Sequence, residues 1–279
     1  MSQTSSNKSL IPDSGHWHHR HGPRVGPVEL KSKPGEFRPP TLRDARVHCY
    51  YPSTTTAINK TLAKPGLELW KQGQVIESAA TMPRLDDESD VEWIRRVFSE
   101  SKDISQRAAS LGTRVHARIA AHLEGKTFPE SENIPSDFDA EIATTQCATD
   151  WLDKHVVEVI ACEHTTACPD GYGGTYDLHA RLADGWQWLI DFKTQSTKPD
   201  KKMIAYDEYR LQLGAYARLA VGPEMAGLKI GNLIVSTTEP GRLEMVEHDD
   251  PGELYRMFLT VLDMWFWRNN FYPTKGQIS

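Results

Sequence analysis

The sequence contains few cysteines, no long hydrophobic run and no apolar leader. Four cysteines occur among 279 residues, without a CxxC pair, so neither a disulfide scaffold nor a zinc site is indicated. No run approaches the roughly 18 apolar residues of a membrane-spanning helix, and MSQTSSNKSL at the start lacks the apolar core of a secretion signal. We expect an intracellular protein with reduced thiols that is neither secreted nor bound to a membrane.

Basic residues are also fewer than acidic ones: the sequence has 32 Lys and Arg against 38 Asp and Glu, which gives a net charge of −6. Proteins that bind nucleic acid usually carry a basic surface, so this balance at first argues against such a partner. The distribution changes the argument, because residues 1–46 contain eight Lys and Arg against four Asp and Glu. The remainder is therefore strongly acidic, and a metal site built of carboxylates would contribute to that acidity.

The first 46 residues differ in composition from the rest. They contain six of the seventeen prolines and the tract HWHHRH, without helical or strand periodicity, and we predict a disordered or extended N-terminal arm. The histidines of the tract can chelate a metal, but a flexible polar segment explains them better. Residues 47–279 are predicted to form one domain, with a helical portion over 47–101 and a catalytic core over 102–279.

Helical patterns dominate the first part of that domain and strand patterns the second. Ser53 or Thr54 can cap a short helix that Pro65 and Gly66 end. Further helices are predicted over 67–80, 91–124 and 137–155, the long one with a candidate break near Lys102. Strands are predicted at VVEVIACE, KIGNLIVS and RLEMVEH, and helices at AYDEYRLQLGAYARLA and PGELYRMFLTVLDMWFWRNN. This order of elements indicates a mixed α/β fold.

The segment GYGGTYDLHARLADGWQWLIDFKT, residues 171–194, is predicted to be a β-hairpin. A two-residue turn at Asp184-Gly185 would leave neither face consistently apolar. A three-residue loop, with Gly185 in the left-handed conformation, instead pairs Leu178 with Ile190 and collects the apolar side chains on one face. This second register is preferred, because a one-residue slip would move every side chain to the other face.

In the preferred register Asp177 and Asp191 are direct cross-strand neighbours, and Lys193 projects from the same face. Opposed carboxylates repel each other unless a positive group lies between them, and carboxylate oxygens with room for water suit Mg²⁺ or Mn²⁺. The ammonium of Lys193 can hold an attacking water or offset charge on a phosphorane-like transition state. The alternative is a solvated sheet face on which Lys193 pairs with one of the aspartates.

A stripe on the long helix supplies a third candidate ligand. Ala108, Gly112, His116 and Ala120 recur every four residues, so they share one face. All except His116 are small, which would let a sheet, a metal or a sugar-phosphate chain approach the helix backbone. The alternative is a core histidine beside a groove where helices pack.

Four motifs occur in one order along the chain: GTRVH at 112–116, GGTYD at 173–177, DFK at 191–193 and QLGAY at 212–216. Together they resemble the GxxxH, GxxD, D/ExK and QxxxY motifs of the RecB-like branch of the PD-(D/E)xK nuclease superfamily. PSTTTAINKTLAKPGLELW is also similar to the N-terminal helices of phage-type exonucleases and of the mitochondrial genome maintenance exonuclease. The resemblance covers residues 50–267 and implies a restriction-endonuclease-like core, a central mixed β-sheet flanked by helices.

The resemblance also implies a metal site for Mg²⁺ or Mn²⁺. Its implied ligands are His116, Asp177, Asp191 and the backbone carbonyl of Phe192. Lys193 would be the catalytic lysine.

Further residues are expected around this site. Gln212 and Tyr216 would steady the nucleic-acid backbone or the active-site residues, and Thr194 would contact a phosphate. Arg114 and Arg118 are candidates for a channel that follows the nucleic-acid backbone, although a solvated charged face explains them equally well. The last two candidates, Glu163 and Gly112, are expected to border the metal ligands.

The implied function is a metal-dependent DNA exonuclease that hydrolyses phosphodiester bonds in single strands or at DNA ends, in phage or viral replication, recombination or repair. One alternative is an RNA or DNA endonuclease of the same superfamily, and another is a non-catalytic module that binds nucleic acid. Some RecB-like nucleases hold an iron–sulfur cluster through one cysteine before the GxxxH motif and three near the C-terminus. No cysteine follows Cys168 here, so we expect no iron–sulfur cluster.

Overall fold

A computed structural model describes residues 15–129 and 134–273 of the chain. The helices in these ranges are α1 Leu42–His48, α2 Thr54–Thr61, α3 Pro65–Thr81, α4 Asp90–Leu123, α5 Phe138–His155, α6 Asp207–Val221 and α7 Pro251–Asn269. The strands are β1 Trp17–His18, β2 Val28–Glu29, β3 Phe37–Arg38, β4 Tyr51–Pro52, β5 Val156–Cys168, β6 Tyr172–Leu182, β7 Gln187–Gln195, β8 Leu228–Ser236 and β9 Leu243–Glu247.

The central sheet has five strands in the order β5-β6-β7-β8-β9. β7 and β8 run parallel, while the other neighbouring strands are antiparallel. A parallel pair needs a crossover connection, which α6 supplies. Residues of α6 and α7 pack on one face of the sheet and residues of α4 and α5 on the other. The predicted mixed α/β fold is confirmed.

β6 and β7 form the predicted hairpin in the predicted register, with Leu178 paired to Ile190. Gly185 has a φ of +87°, as the three-residue loop requires. The apolar face packs against α4 and α5. The opposite face is covered as well, because Leu189 packs with Leu213 of α6. The hairpin therefore lies between two helical layers.

The helix boundaries follow local capping signals. Ser53 caps α2 by accepting a hydrogen bond of 3.0 Å from the backbone N–H of Thr56, as predicted for this position. Pro65 begins α3, because a first helical residue needs no N–H partner. The predicted break near Lys102 is wrong: α4 is continuous over 34 residues, and the segment 91–111 contains neither proline nor glycine to interrupt it.

The prediction of a disordered or extended arm over residues 1–46 needs correction for residues 15–46. Trp17 is fully buried, with its ring centroid 5.9 Å from that of Trp265 and 6.2 Å from that of Phe271. β1 pairs with β4, and α1 begins within the predicted arm at Leu42. The low periodicity misled the prediction, because short extended segments can be held by a single large aromatic anchor. Residues 1–14 lie outside the described ranges.

Two further properties bear on the cellular expectations. Within the described ranges, no helix combines the length and the apolarity needed to cross a bilayer. The four cysteines, Cys49, Cys147, Cys162 and Cys168, are all free thiols. The expected lack of an iron–sulfur cluster stays a prediction.

Candidate functional site

A cleft of about 820 Å³ lies between α4 and strands β5 to β7. All four members of the predicted stripe line it, namely Ala108, Gly112, His116 and Ala120. The three small residues leave the helix backbone open to the cleft, while the imidazole of His116 reaches toward the sheet. The prediction that these residues share one accessible helix face is confirmed.

His116, Glu163 and Asp177 converge at the floor of this cleft. Each offers one ligand atom, and the three atoms lie within 4.8 Å of one another. Nδ1 of His116 is 3.5 Å from Oδ2 of Asp177. One imidazole nitrogen and two carboxylate oxygens at this spacing form a donor set that can hold a divalent cation.

The backbone around the cluster departs from a regular sheet. The β6–β7 ladder ends at the pair Leu178 and Ile190, so Asp177 and Asp191 are not paired in it as predicted. Instead the backbone N–H of Phe192 donates a hydrogen bond of 2.7 Å to Oδ2 of Asp177. On the neighbouring strand Glu163 has a φ of +45°, an uncommon conformation for a residue with a side chain. Backbone strain of this kind concentrates at functional sites.

Glu163 is closer to the cluster than the sequence suggested, since it was expected only to border the ligands. The signal that could have revealed it is the antiparallel β5–β6 pairing, in which Cys162 pairs with Leu178 and His164 with Tyr176. This register brings Glu163 opposite Asp177 across the sheet.

Charges in the cluster are strongly coupled. Although Glu163 is exposed to solvent, desolvation by the surrounding protein and the nearby carboxylate of Asp177 raise the pKa of Glu163 to about 7. Burial also disfavours the charged form of Asp177, but the His116 and Lys193 charges outweigh it and hold the pKa of Asp177 below its usual value. Burial likewise disfavours protonated His116, yet Asp177 raises the pKa of the imidazole. Two carboxylates this close stay ionised together only when positive charge is near.

Asp191 faces a different set of partners from Asp177. Its Oδ2 is 2.6 Å from Nζ of Lys193 and accepts a hydrogen bond of 2.7 Å from the side-chain amide of Asn232. Burial raises the pKa of Asp191 to about 6, although the Lys193 ammonium opposes the shift. With exposed fractions of 8% for Asp177 and 1% for Asp191, the alternative of a solvated sheet face is excluded. The other part of that alternative, pairing of Lys193 with an aspartate, does occur.

Gln212 and Tyr216 support this second group. Nε2 of Gln212 donates hydrogen bonds to Oδ1 of Asp191 at 3.1 Å and to the hydroxyl of Tyr216 at 3.0 Å, while its Oε1 accepts one from Lys193 at 3.3 Å. A Cβ atom at Gly174 would lie 2.7 Å from Cε1 of Tyr216. The GxxD glycine therefore makes room for the QxxxY tyrosine, which connects two motifs that are distant in sequence.

Gly112, Thr194 and Phe192 shape the cleft wall. A Cβ atom at Gly112 would lie 3.0 Å from Oγ1 of Thr194, so the glycine lets α4 approach the end of β7. The ring of Phe192 packs edge-on to the ring of His116, with centroids 5.9 Å apart. All three residues line the cleft.

Arg114 and Arg118 do not point into the cleft but bind acidic residues at and before the start of α5. Both guanidinium groups form ion pairs with Glu141 of α5, and Arg114 also pairs with Asp137. Glu141 is buried, so these contacts fasten α4 to α5. Neither arginine lines the cleft, and the solvated face offered as their alternative does not describe them either.

Two residues that contact the site were not predicted from the sequence. Asn232 of β8 is buried and binds Asp191, and the ring of Tyr209 lies 4.9 Å from Nζ of Lys193. Asn232 carries a recognisable signal, because it is an isolated amide within the apolar strand LKIGNLIVS and a buried polar group needs a partner. Tyr209 carries none, since its role depends on where α6 packs.

Comparison with known proteins adds little. No protein-family model and no curated protein matches the chain. Among solved structures, one described as "Crystal structure of SSO0001" is similar over 56% of this chain and 84% of its own, with 13% sequence identity and a TM-score of 0.27. A similarity at this level supports no argument about fold or function.

Proposed function

We propose that this protein is a metal-dependent nuclease, a phosphodiester hydrolase with a restriction-endonuclease-like core. The observation that carries the proposal is the convergence of His116, Glu163 and Asp177 within 4.8 Å, in a cleft that Lys193 also lines. Three of the four motifs that resemble the RecB-like branch line this cleft, and Gln212 of the fourth accepts a hydrogen bond from Lys193 at the cleft wall.

The donor set fits a small divalent cation. It contains one imidazole and two carboxylates, with no thiolate, which favours Mn²⁺ or Mg²⁺ over metals that prefer sulfur. The mutual repulsion of Glu163 and Asp177 is a second reason, because a cation would relieve it. When bound, such an ion would polarise a phosphate oxygen and lower the pKa of a water molecule. Asp191 stays a proposed fourth ligand from the motifs; its Oδ1 accepts a hydrogen bond from Gln212, and its Oδ2 contacts Lys193 and Asn232.

The protein's own groups contribute positioning and charge. Asp191 and Gln212 hold the ammonium of Lys193 at the cleft, where it can orient an attacking water and stabilise negative charge on the phosphorane-like transition state. Tyr209 confines that ammonium from another side. Asp177 and His116 hold each other's orientation through their 3.5 Å contact.

For the substrate, we propose DNA, cut by exonuclease action on single strands or strand ends in phage or viral replication, recombination or repair. This part relies on the resemblance of the motifs. The intracellular location stays a prediction.

The test is a gel assay with end-labelled single-stranded DNA, duplex DNA and RNA of matched sequence, with Mg²⁺, Mn²⁺ or a chelator present. We expect a ladder from one end of DNA that chelator abolishes. Asp177→Asn should remove cleavage, and Lys193→Ala should lower the rate far more than the metal affinity measured by titrating activity. Glu158→Gln, an exposed carboxylate on the same strand as Glu163, is the matched control and should cleave normally.

Several results would contradict the proposal or favour one of its alternatives. Cleavage that persists in chelator would exclude a required metal, and full activity of Asp177→Asn would exclude this site. Binding without any cleavage would favour the non-catalytic module, while preferential cutting of RNA or internal cuts would favour the endonuclease alternative.

A further inference from the structure

A second cavity of about 730 Å³ adjoins the cleft. It is formed by the start of α3, the end of β7 and the start of α6, and it shares Ala108 and Thr194 with the cleft. We call it the aromatic pocket, after its lining residues Trp70, Tyr206 and Tyr209. The two cavities share these wall residues, so they lie next to each other.

Two aromatic side chains of this pocket, Tyr209 and Tyr206, lead away from the proposed active site. The ring of Tyr209 lies 4.9 Å from Nζ of Lys193, and its centroid is 5.3 Å from that of Tyr206 in an edge-to-face arrangement. A Cβ atom at Gly66 would lie 3.9 Å from Cε1 of Tyr206, so the first turn of α3 is in contact range of that ring. Trp70 follows one turn along α3.

These rings are exposed where large aromatic residues are usually covered. The exposed fraction is 41% for Trp70 and 38% for Tyr206. An aromatic side chain stabilises a fold when it is buried, and Trp70 and Tyr206 contribute less in this way because they are exposed. Exposed rings beside a cleft are available to stack on a planar ligand.

The charges of the pocket indicate what kind of ligand it fits. Among the described lining residues the basic group is Lys64, and its Nζ is 3.2 Å from a carboxylate oxygen of Glu208. Asp207 adds a second acidic group at the rim. A pocket with this balance is a poor site for phosphate but a suitable one for an uncharged planar group.

We propose that the aromatic pocket is a stacking site for unpaired nucleobases of a strand whose phosphate lies in the cleft, with Trp70 and Tyr206 as the stacking surfaces. The proposal rests on the proposed function and specifies its substrate class as single-stranded nucleic acid. Bases within a duplex already stack on their neighbours, so only an unpaired segment can present its faces to these rings. Aromatic stacking of this type tolerates any base sequence.

The experiment measures binding without cleavage. Fluorescence anisotropy in the presence of a chelator reports binding of a labelled dT oligonucleotide, of the same sugar-phosphate chain with abasic sites and of a duplex. Loss of one stacking partner costs roughly 5- to 150-fold in affinity. We therefore expect Trp70→Ala and Tyr206→Ala each to weaken dT binding by about this factor, and Trp70→Phe to retain part of the affinity.

Controls separate stacking from general damage. Ile76 lies on the same helix, is 70% exposed and does not line the pocket, so Ile76→Ala should bind dT like the wild type. On the abasic chain Trp70→Ala should equal the wild type, because no base is present to stack.

The inference is overturned if both alanine variants bind dT normally, or if they lose affinity equally on the abasic chain. The nuclease proposal is judged separately, by metal-dependent cleavage with the wild-type protein. If the wild type cleaves with metal but the alanine variants bind dT normally, only the stacking proposal is overturned. If the alanine variants lose binding to dT but not to the abasic chain, and the wild type does not cleave, the stacking proposal is supported and the nuclease proposal is overturned.

Discussion

Asn232 binds the Asp191 side chain across two parallel strands. Its amide nitrogen donates a hydrogen bond of 2.7 Å to Oδ2 of Asp191, which is its neighbour in the β7–β8 register. Its Oδ1 is in turn 2.7 Å from Nε2 of His248. A line of polar groups therefore leads from the half-buried His248 through buried Asn232 to Asp191, the aspartate that holds Lys193.

Replacing Asn232 by leucine should damage both stability and cleavage. The substitution leaves a buried carboxylate short of one donor, which costs about 1–3 kcal/mol in the free energy of unfolding. Asp191 would also be free to change its orientation, so Lys193 would lose its fixed position. Urea unfolding and single-turnover cleavage measure the two effects.

His248→Ala is the matched comparison for Asn232→Leu. It removes the far end of the polar line but keeps the Asn232–Asp191 bond, so its effect on cleavage should be much smaller. Equal effects of the two variants would show that the line acts as a unit, and a fully active Asn232→Leu protein would contradict a positioning role.

Variants of Glu163 and Glu124 test which carboxylate of the cleft binds the metal. Both line the cleft, but only Glu163 belongs to the cluster with His116 and Asp177. Glu163→Gln should weaken Mn²⁺ binding at least about tenfold, because even groups that merely support a ligand contribute roughly 10- to 100-fold.

Calorimetric titration with Mn²⁺ provides this measurement, and Glu124→Gln is the control. Glu124 pairs with Lys126 at 2.7 Å, so its loss should leave Mn²⁺ affinity nearly unchanged. If Asp191→Asn weakened binding and Glu163→Gln did not, the ligand set expected from the motifs would be correct instead of the one that the structure groups together.

Gly174→Ala should destabilise the protein, mainly through a steric clash with Tyr216. The added Cβ would lie 2.7 Å from Cε1 of Tyr216 and 3.1 Å from Oγ1 of Thr54. Overpacking of this kind costs about 1–3 kcal/mol. Chemical denaturation should show the loss, and cleavage should fall because Tyr216 also binds Gln212.

A double variant tests whether the contact with Tyr216 is the cause. Tyr216→Ala removes the clashing ring, so Gly174→Ala should cost much less in that background than in the wild type. Gly73→Ala, where a Cβ would have nothing within 4 Å, is the control and should not destabilise α3. Additive effects of Gly174→Ala and Tyr216→Ala would place the strain elsewhere.

Trp17 should anchor residues 15–46 to the domain. Truncation of a buried large aromatic residue costs about 3–5 kcal/mol, so Trp17→Ala should lower the free energy of unfolding by that amount. Among the described residues no group accepts a hydrogen bond from Nε1 of Trp17. Trp17→Phe, which keeps most of the apolar surface and removes the unpartnered N–H, should therefore be far less harmful.

Guanidinium denaturation with both variants checks this anchor. A Trp17→Ala protein as stable as the wild type would favour the predicted disordered or extended arm.

Local chemistry made much of the site predictable. The hairpin register followed from alternating side chains and from one glycine in a left-handed loop, and both depend on neighbouring residues alone. The stripe through His116 followed from helical periodicity in the same way. The predicted helices over 91–124 and 137–155 coincide closely with α4 and α5 for this reason.

The sequence by itself determined the main helices and sheet strands after residue 53, the hairpin register and the place of His116 on a helix face of small residues, because these depend on periodicity and turn geometry within short segments. Only the tertiary structure decided that Glu163 joins His116 and Asp177, that Asn232 holds Asp191, and that Arg114 and Arg118 bind Glu141. Each of these outcomes depends on which distant segments pack together and on the rotamers that packing then allows, and no local pattern encodes that choice.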